Sequence, residues 1–180
     1  MTHSHTAIAA LLDEHGLSPS RALGQNFVTD PNTVRKIARL AEVGPGDFVL
    51  EIGPGLGSLT LALIETGASV AAIEVDRYLL PALHSVVDPH GVTVHHADAL
   101  TANYDEILNG RDAVVVANLP YNVATPLVIR MLESVPTITR MLVMVQKEVG
   151  ERYAAQPGDD AFGALSLRVN YFATAKAVGT

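Results

Sequence analysis

The chain has 180 residues, 48% of them hydrophobic, and a formal net charge of −7, which is enough apolar material for one domain with a sizeable core. It contains no cysteine, which excludes disulfides, thiolate metal sites and a cysteine nucleophile. No apolar run approaches the roughly 20 residues that span a bilayer, and the stretch from Ala7 to Leu12 lacks the preceding basic residues of a signal peptide, so neither membrane association nor export is expected and a cytoplasmic location is the simplest reading.

The acidity argues against a nucleic-acid partner only in bulk. Eleven acidic residues lie between Glu42 and Asp112, against Arg77 and Arg111 alone, and the flanks are close to neutral.

Along the chain, residues 6–15 predict an amphipathic helix ended by Gly16, and 19–26 a loop. Asp30-Pro31 supplies an N-cap and a proline at the first helical position, followed by Val34, Ile37, Ala38 and Ala41 at helical spacing. After a turn over 43–47, Phe48-Val49-Leu50-Glu51-Ile52 reads as a buried strand running into glycines. Residues 58–66 predict a helix closed by Gly67, and 69–73 a second strand with Glu74 at its end. Asp76 is placed to cap the next helix, with Pro81 in or near its first turn.

A third strand is expected over 92–96, with Asp98 just beyond. Residues 112–117 are continuously apolar, as in a strand covered on both faces. Asn118-Leu119-Pro120-Tyr121-Asn122 follows directly, Thr125-Pro126 predicts the opening of a helix reaching about Ser134, and 140–146 a fifth strand. The alternation predicts an α/β fold, a mostly parallel, doubly wound, Rossmann-like sheet. Its ligand site is expected where the strands end and their order reverses, with Glu51, Glu74, Asp98 and Asn118 on one rim.

Three features in order carry the cofactor reading. Gly53-Pro54-Gly55-Leu56-Gly57, between a strand and a helix, lets backbone approach a ligand closely. Glu74, after the second strand, suits the two hydroxyls of a ribose. Asp98, after the third, can accept from an adenine amino group, although a loop or cap aspartate is an ordinary alternative. The spacing Gly-x-Gly-x-Gly departs from the dinucleotide fingerprint, which favours an adenosine cofactor without a pyrophosphate. Together these give the layout of a class I methyltransferase using S-adenosylmethionine. Val75 and Ala99, next to the two acids, are assigned to the same cofactor site as Gly53, Gly55 and Gly57.

Asn118-Leu119-Pro120-Tyr121 carries the acceptor reading. An adenine amine is a poor nucleophile because its lone pair is delocalised into the ring. Acceptors aimed at its two protons localise that pair, and the candidates are the Asn118 oxygen and a backbone carbonyl at Leu119 or Pro120. Tyr121 is placed to stack on an unstacked base. No strong general base is needed, so rate is expected from proximity, orientation and carbonyl electrostatics. His3, His5, His95 and His96 lack metal-binding spacing, and no metal is assigned.

With these residues in place, the chain resembles the KsgA/RsmA family of ribosomal RNA adenine dimethyltransferases from about Leu23 onward. The resemblance rests on Leu23-Gly24-Gln25-Asn26-Phe27-Val28-Thr29-Asp30-Pro31 and on Asn118-Leu119-Pro120-Tyr121-Asn122, with Gln146-Lys147-Glu148-Val149 and Phe162-Gly163-Ala164-Leu165-Ser166 as further matches. Erm enzymes share the broad pattern but fit the first segment less well. The resemblance implies that Asn26 and the backbone at Val28 touch the methionine part of the cofactor and Gly53 lines it. It further implies that Glu74 holds the ribose, Asp98 the adenine, and that Asn118 meets both cofactor and target base.

It also implies dimethylation of adenine N6 in small-subunit ribosomal RNA, acting as a monomer on immature small ribosomal subunits. An Erm-like large-subunit enzyme and a cofactor- or ribosome-binding fragment without turnover are the alternatives. DNA adenine and protein glutamine methyltransferases more often carry Asn/Asp-Pro-Pro-Tyr at this place, and a nicotinamide dehydrogenase fits less well still. Residues 1–30 are read as an N-terminal helix and cofactor-covering loop, and 31–180 as the catalytic domain. Family members continue into a small helical RNA-gripping domain, so a last sheet strand near 174–178 and a truncated form are expected here.

Overall fold

The computed structural model describes residues 2–17 and 30–179. Helix α1 spans His5–Glu14, α2 Pro31–Leu40, strand β1 Phe48–Ile52, α3 Ser58–Ile64, β2 Ser69–Glu74, α4 Leu80–Val87, β3 Thr93–His96 and α5 Tyr104–Leu108. Then come β4 Ala113–Asn118, α6 Tyr121–Ser134, β5 Ile138–Met144, α7 Lys147–Ala154 and α8 Ala164–Phe172. Among the described residues the strands form one sheet in the order β3-β2-β1-β4-β5, every neighbouring pair parallel. This is the Rossmann-like, doubly wound fold that the alternation predicts.

Side chains alternate across the pleat, so each strand feeds two cores. Leu50, Ile52, Ala71, Ile73, Val115 and Ala117 face Tyr104 and Leu108 of α5, Leu127 and Met131 of α6, Val149 of α7 and Val169 of α8. Val49, Val70, Ala72, Val114 and Val116 face Val34 and Ile37 of α2, Leu59 and Leu63 of α3, and Leu83 and Val87 of α4. Burial on both faces explains why β4 is an unbroken apolar run. A smaller cluster, Ile8, Leu56, Leu79 and Ala82, seats α1 on the glycine loop and α4. Among the described residues no helix is long and apolar enough to cross a membrane.

Several expected boundaries move, each for a local reason. Helix α6 begins at Tyr121 rather than at Thr125-Pro126, because Pro120 is the N-cap and its carbonyl accepts from Val123 N and Ala124 N at 3.0 and 3.1 Å. Pro126 therefore lies inside the helix, where Ala124, Leu127, Val128 and Met131 bury enough surface to carry it. Asp76 does not cap α4. Its Oδ1 accepts from Tyr78 N at 2.9 Å and its carbonyl from Leu79 N, making a turn, and α4 starts at Leu80 with Pro81 in its first turn. Strand β5 ends at Met144, and Gln146 becomes the N-cap of α7. Residues 173–179 form no strand. Ala175 packs against the core under α5 to α8, and a Cβ on Gly179 would meet Lys36 Nζ of α2 at 3.5 Å.

Helix α2 follows the sequence closely. Asp30 Oδ1 accepts from Asn32 N at 3.2 Å, and Oδ2 from Thr33 N and Thr33 Oγ1 at 2.9 and 2.6 Å. The Thr33 hydroxyl and these amides hold the Asp30 carboxyl below its usual range. Asp30→Ala is expected to lower stability through loss of the cap, seen as a lower urea midpoint with unchanged slope.

Candidate active site

The order of the sheet reverses between β1 and β4. From β1 the chain winds through β2 to β3, whereas β4 and β5 add on the other side, and a crevice opens outside the strand ends at this point. Ile52 pairs with Ala117, so the next residues, Gly53 and Asn118, meet on the rim. Gly53 has φ +70°, and a Cβ there would face the Asn118 carbonyl at 4.0 Å, its only close neighbour among the described residues. Glycine therefore keeps this spot open and adopts a conformation unfavourable to other residues.

Gly55 also has positive φ, at 59°, and its N–H donates to Glu74 Oε2 at 3.1 Å. Gly57 is different. With φ +81°, a Cβ would stand 3.0 Å from Val87 Cγ1 and 3.2 Å from Val86 Cγ1, and its N–H donates to the Pro54 carbonyl at 2.9 Å. Packing against α4 by itself requires glycine at 57.

Glu74 ends β2 almost wholly buried. Its Oε1 accepts from Asp76 N at 2.9 Å while Oε2 holds Gly55, so one carboxylate ties the glycine loop to the next turn. Burial raises its pKa, and the amides of Asp76 and Gly55 oppose that. A carboxylate oxygen can accept from more than one donor. Val75 beside it is 51% exposed, an apolar side chain in the open on the rim.

The Glu74 carbonyl accepts from Ala97 N at 3.1 Å, which brings Asp98 alongside. Asp98 is exposed, and its Oδ1 accepts from Leu100 N at 2.8 Å. Ala99 is buried, and its carbonyl accepts from Tyr104 Oη and Arg130 Nη1. Burial pushes the Tyr104 hydroxyl up to about 12, so it stays a donor.

Across the crevice, Asn118 ends β4 half-buried. Leu119 is buried, and its N–H donates to the Met144 carbonyl at 3.1 Å. The Pro120 carbonyl is taken up by α6, and Tyr121 is the first residue of that helix. Asn26 and Val28 lie outside the described residues.

Glu51 departs from the expected rim position. It lies within β1, fully buried, and Oε2 has no partner among the described residues. Burial pushes its carboxyl up to about 8, and the neighbouring Glu74 adds to the effect. Two further contacts lay beyond the sequence reading: Arg130 and Tyr104 at Ala99, and His3, whose Nε2 lies 3.2 Å from the Leu56 carbonyl of the glycine loop. Among the described residues no group of His, Asp and Glu could hold a metal ion.

The open Gly53 backbone, the two strand-end acids, exposed Val75 and the orphaned Glu51 oxygen suit an adenosine-bearing ligand with a polar tail. The profile of a family described as ribosomal RNA adenine dimethylase matches residues 17–180. A curated relative from Phenylobacterium zucineum, ribosomal RNA small subunit methyltransferase A, is 49% identical over 93% of this chain and 59% of its own length. Its namesake from Thermobifida fusca is 45% identical over 99% of this chain and 67% of its own. The chain thus spans roughly three fifths to two thirds of these relatives. A solved dimethyladenosine transferase from Plasmodium falciparum superposes with a TM-score of 0.68 at 28% identity, covering 78% of this chain and 50% of that one.

The buried Glu51 carboxyl makes stability depend on pH. Between its ordinary value of 4.5 and about 8, the folded chain keeps a proton that the unfolded chain releases. Its stabilising contribution is therefore complete below the lower value and lost as pH rises to the upper one. Glu51→Gln copies the protonated form without titrating. Urea midpoints measured from about pH 5 to about pH 9 are expected to show the wild type falling steadily relative to this variant and then levelling. Parallel curves would contradict the assignment.

Proposed function

The chain belongs to the ribosomal RNA adenine dimethylase family, and on that premise we propose that it transfers methyl groups from S-adenosylmethionine to the N6 amine of adenines in small-subunit ribosomal RNA. The names of the relatives support the small subunit over the Erm-like alternative. Immature small subunits are the proposed partner, met by a monomer in the cytoplasm, and dimethyladenosine is the proposed product.

Glu74 would hold the ribose through the free lone pairs of its carboxylate, Asp98 Oδ2 would accept from the adenine amine, and Val75 would cover the base. Gly53 and Gly55 leave the backbone open to the remainder, with Asn26 and Val28 assigned to the methionine end and Ala99 to the floor under the adenine. When bound, S-adenosylmethionine supplies an electrophilic methyl group on its sulfonium.

The observation that carries the acceptor side is the junction of β4 and α6. Pro120 gives its carbonyl to two helix N–H groups, so of the two backbone candidates Leu119 is the one left to pair with the Asn118 side-chain oxygen. These two oxygens would accept from the amine protons and localise the nitrogen lone pair. Strand β4 on one side and α6 on the other hold them in fixed positions, so little reorganisation is needed at the moment of reaction. Tyr121 would stack on the flipped base. The amine sheds its proton after the new bond has formed, so no strong base is required.

Immature small subunits incubated with labelled S-adenosylmethionine are expected to yield dimethyladenosine by nucleoside mass spectrometry. Asn118→Ala is expected to lower the rate by roughly 10²–10³-fold, as when one preorganised catalytic hydrogen-bonding group is removed. An unchanged rate contradicts the role of Asn118. Cofactor binding by calorimetry without any methylated nucleoside would instead support the fragment without turnover.

A further inference from the structure

The Asp98 turn is held from behind by a residue far away in the sequence. Asp98 Oδ1 accepts from Leu100 N, and its carbonyl accepts from Thr101 N and Ala102 N at 2.9 and 2.8 Å. The carbonyls of Ala99 and Ala102 serve the opposite side. Arg130 of α6 donates Nη1 to Ala99 O at 2.8 Å and Nη2 to Ala102 O at 2.9 Å. Tyr104 Oη joins at Ala99 O at 2.7 Å, and the guanidinium carbon stands 5.1 Å from the Tyr104 ring centre.

One planar fork gripping two carbonyls three residues apart fixes both the position and the rotation of the turn between them. A single-point donor such as lysine cannot do both. Both alanines are buried, so losing the guanidinium takes this donor from the Ala102 carbonyl and leaves the Ala99 carbonyl to Tyr104 Oη, which releases one end of the turn. The exposed carboxylate at the front of that turn would move with it. Helix α6 starts at the Asn118–Tyr121 motif, so the same rigid rod carries the acceptor side of the site at one end and this clamp further along.

We propose that Arg130, seconded by Tyr104, is a positioning residue for the cofactor's adenine: by clamping the 98–102 turn it aims the Asp98 carboxylate at the base and sets the preference for adenine over a purine lacking the amine. The inference rests on the reading of Asp98 as the acceptor for that amine.

Affinities of the whole chain for S-adenosylhomocysteine and S-inosylhomocysteine, measured by calorimetry, test it. The inosyl ligand replaces the amine with a carbonyl, so the wild type is expected to favour the adenosyl ligand by at least about tenfold, the scale of one hydrogen bond to a charged group. In Arg130→Met the ratio is expected to fall to within about threefold, by weaker adenosyl binding alone. Arg130→Lys, which keeps the charge and one contact, is expected to fall between and decides the matter if the methionine variant does not fold. A wild-type ratio in the Arg130 variants, or equal weakening of both ligands, overturns the inference. Asp98→Asn, which keeps the turn but presents a donor, is expected to erase or reverse the preference. If the preference survives Asp98→Asn, the reading of Asp98 fails and the inference with it; if it is lost there but kept in the Arg130 variants, only the inference fails.

Discussion

Parallel pairing of β1 with β4 is the contact on which the site depends. Ile52 lies opposite Ala117, and because β1 sends its crossover to β2 on its other side, a crevice opens above the two strand ends. Gly53 and Asn118 become neighbours there although they are far apart in the chain. The cofactor features line up along β1, β2 and β3, and the acceptor motif stands alone on β4. On the proposed reading, the backbone topology alone thus gives the two ligands separate sides of the rim.

The glycine loop is shaped by charge as much as by glycine. Glu74 binds the N–H groups of Gly55 and Asp76 and so draws the loop over the end of β2, at the expense of burying a carboxyl. Glu51 is buried deeper, with Oε2 unpartnered among the described residues, and its pKa is raised by burial first and by the neighbouring Glu74 in addition. Helix α1 closes this region from outside, with Ile8 against Leu56 and the His3 ring at the Leu56 carbonyl.

Strand positions and the order of the site residues were legible in the sequence because both depend on local pattern. The apolar run of β4 and the Asp30-Pro31 start of α2 need no knowledge of the rest of the fold. What escaped depends on partners distant in the chain or on competing local rules. Pro126 read as a helix start because proline favours that place, whereas Pro120 holds the actual cap. Helices α7 and α8 bury only Val149 and Tyr153, and Ser166 and Val169, too little periodicity to stand out. Residues 174–178 have a strand's composition but lie outside the sheet. Arg130 resembles any arginine on an amphipathic helix until the Ala99 and Ala102 carbonyls are seen beside it. That Gly57 also packs against Val86 and Val87 depends on α4, which lies further along the chain.

The central claim is that one rim binds the cofactor's adenosine across β1, β2 and β3 while β4 faces the target base. A crystal structure of the chain with S-adenosylhomocysteine tests it most directly. The account predicts ribose hydroxyls on the Glu74 carboxylate, the adenine amine on Asp98 Oδ2, and the sulfur over Gly53 facing Asn118. An adenosine bound elsewhere, or lying on this rim with its base turned away from Asp98, would contradict it.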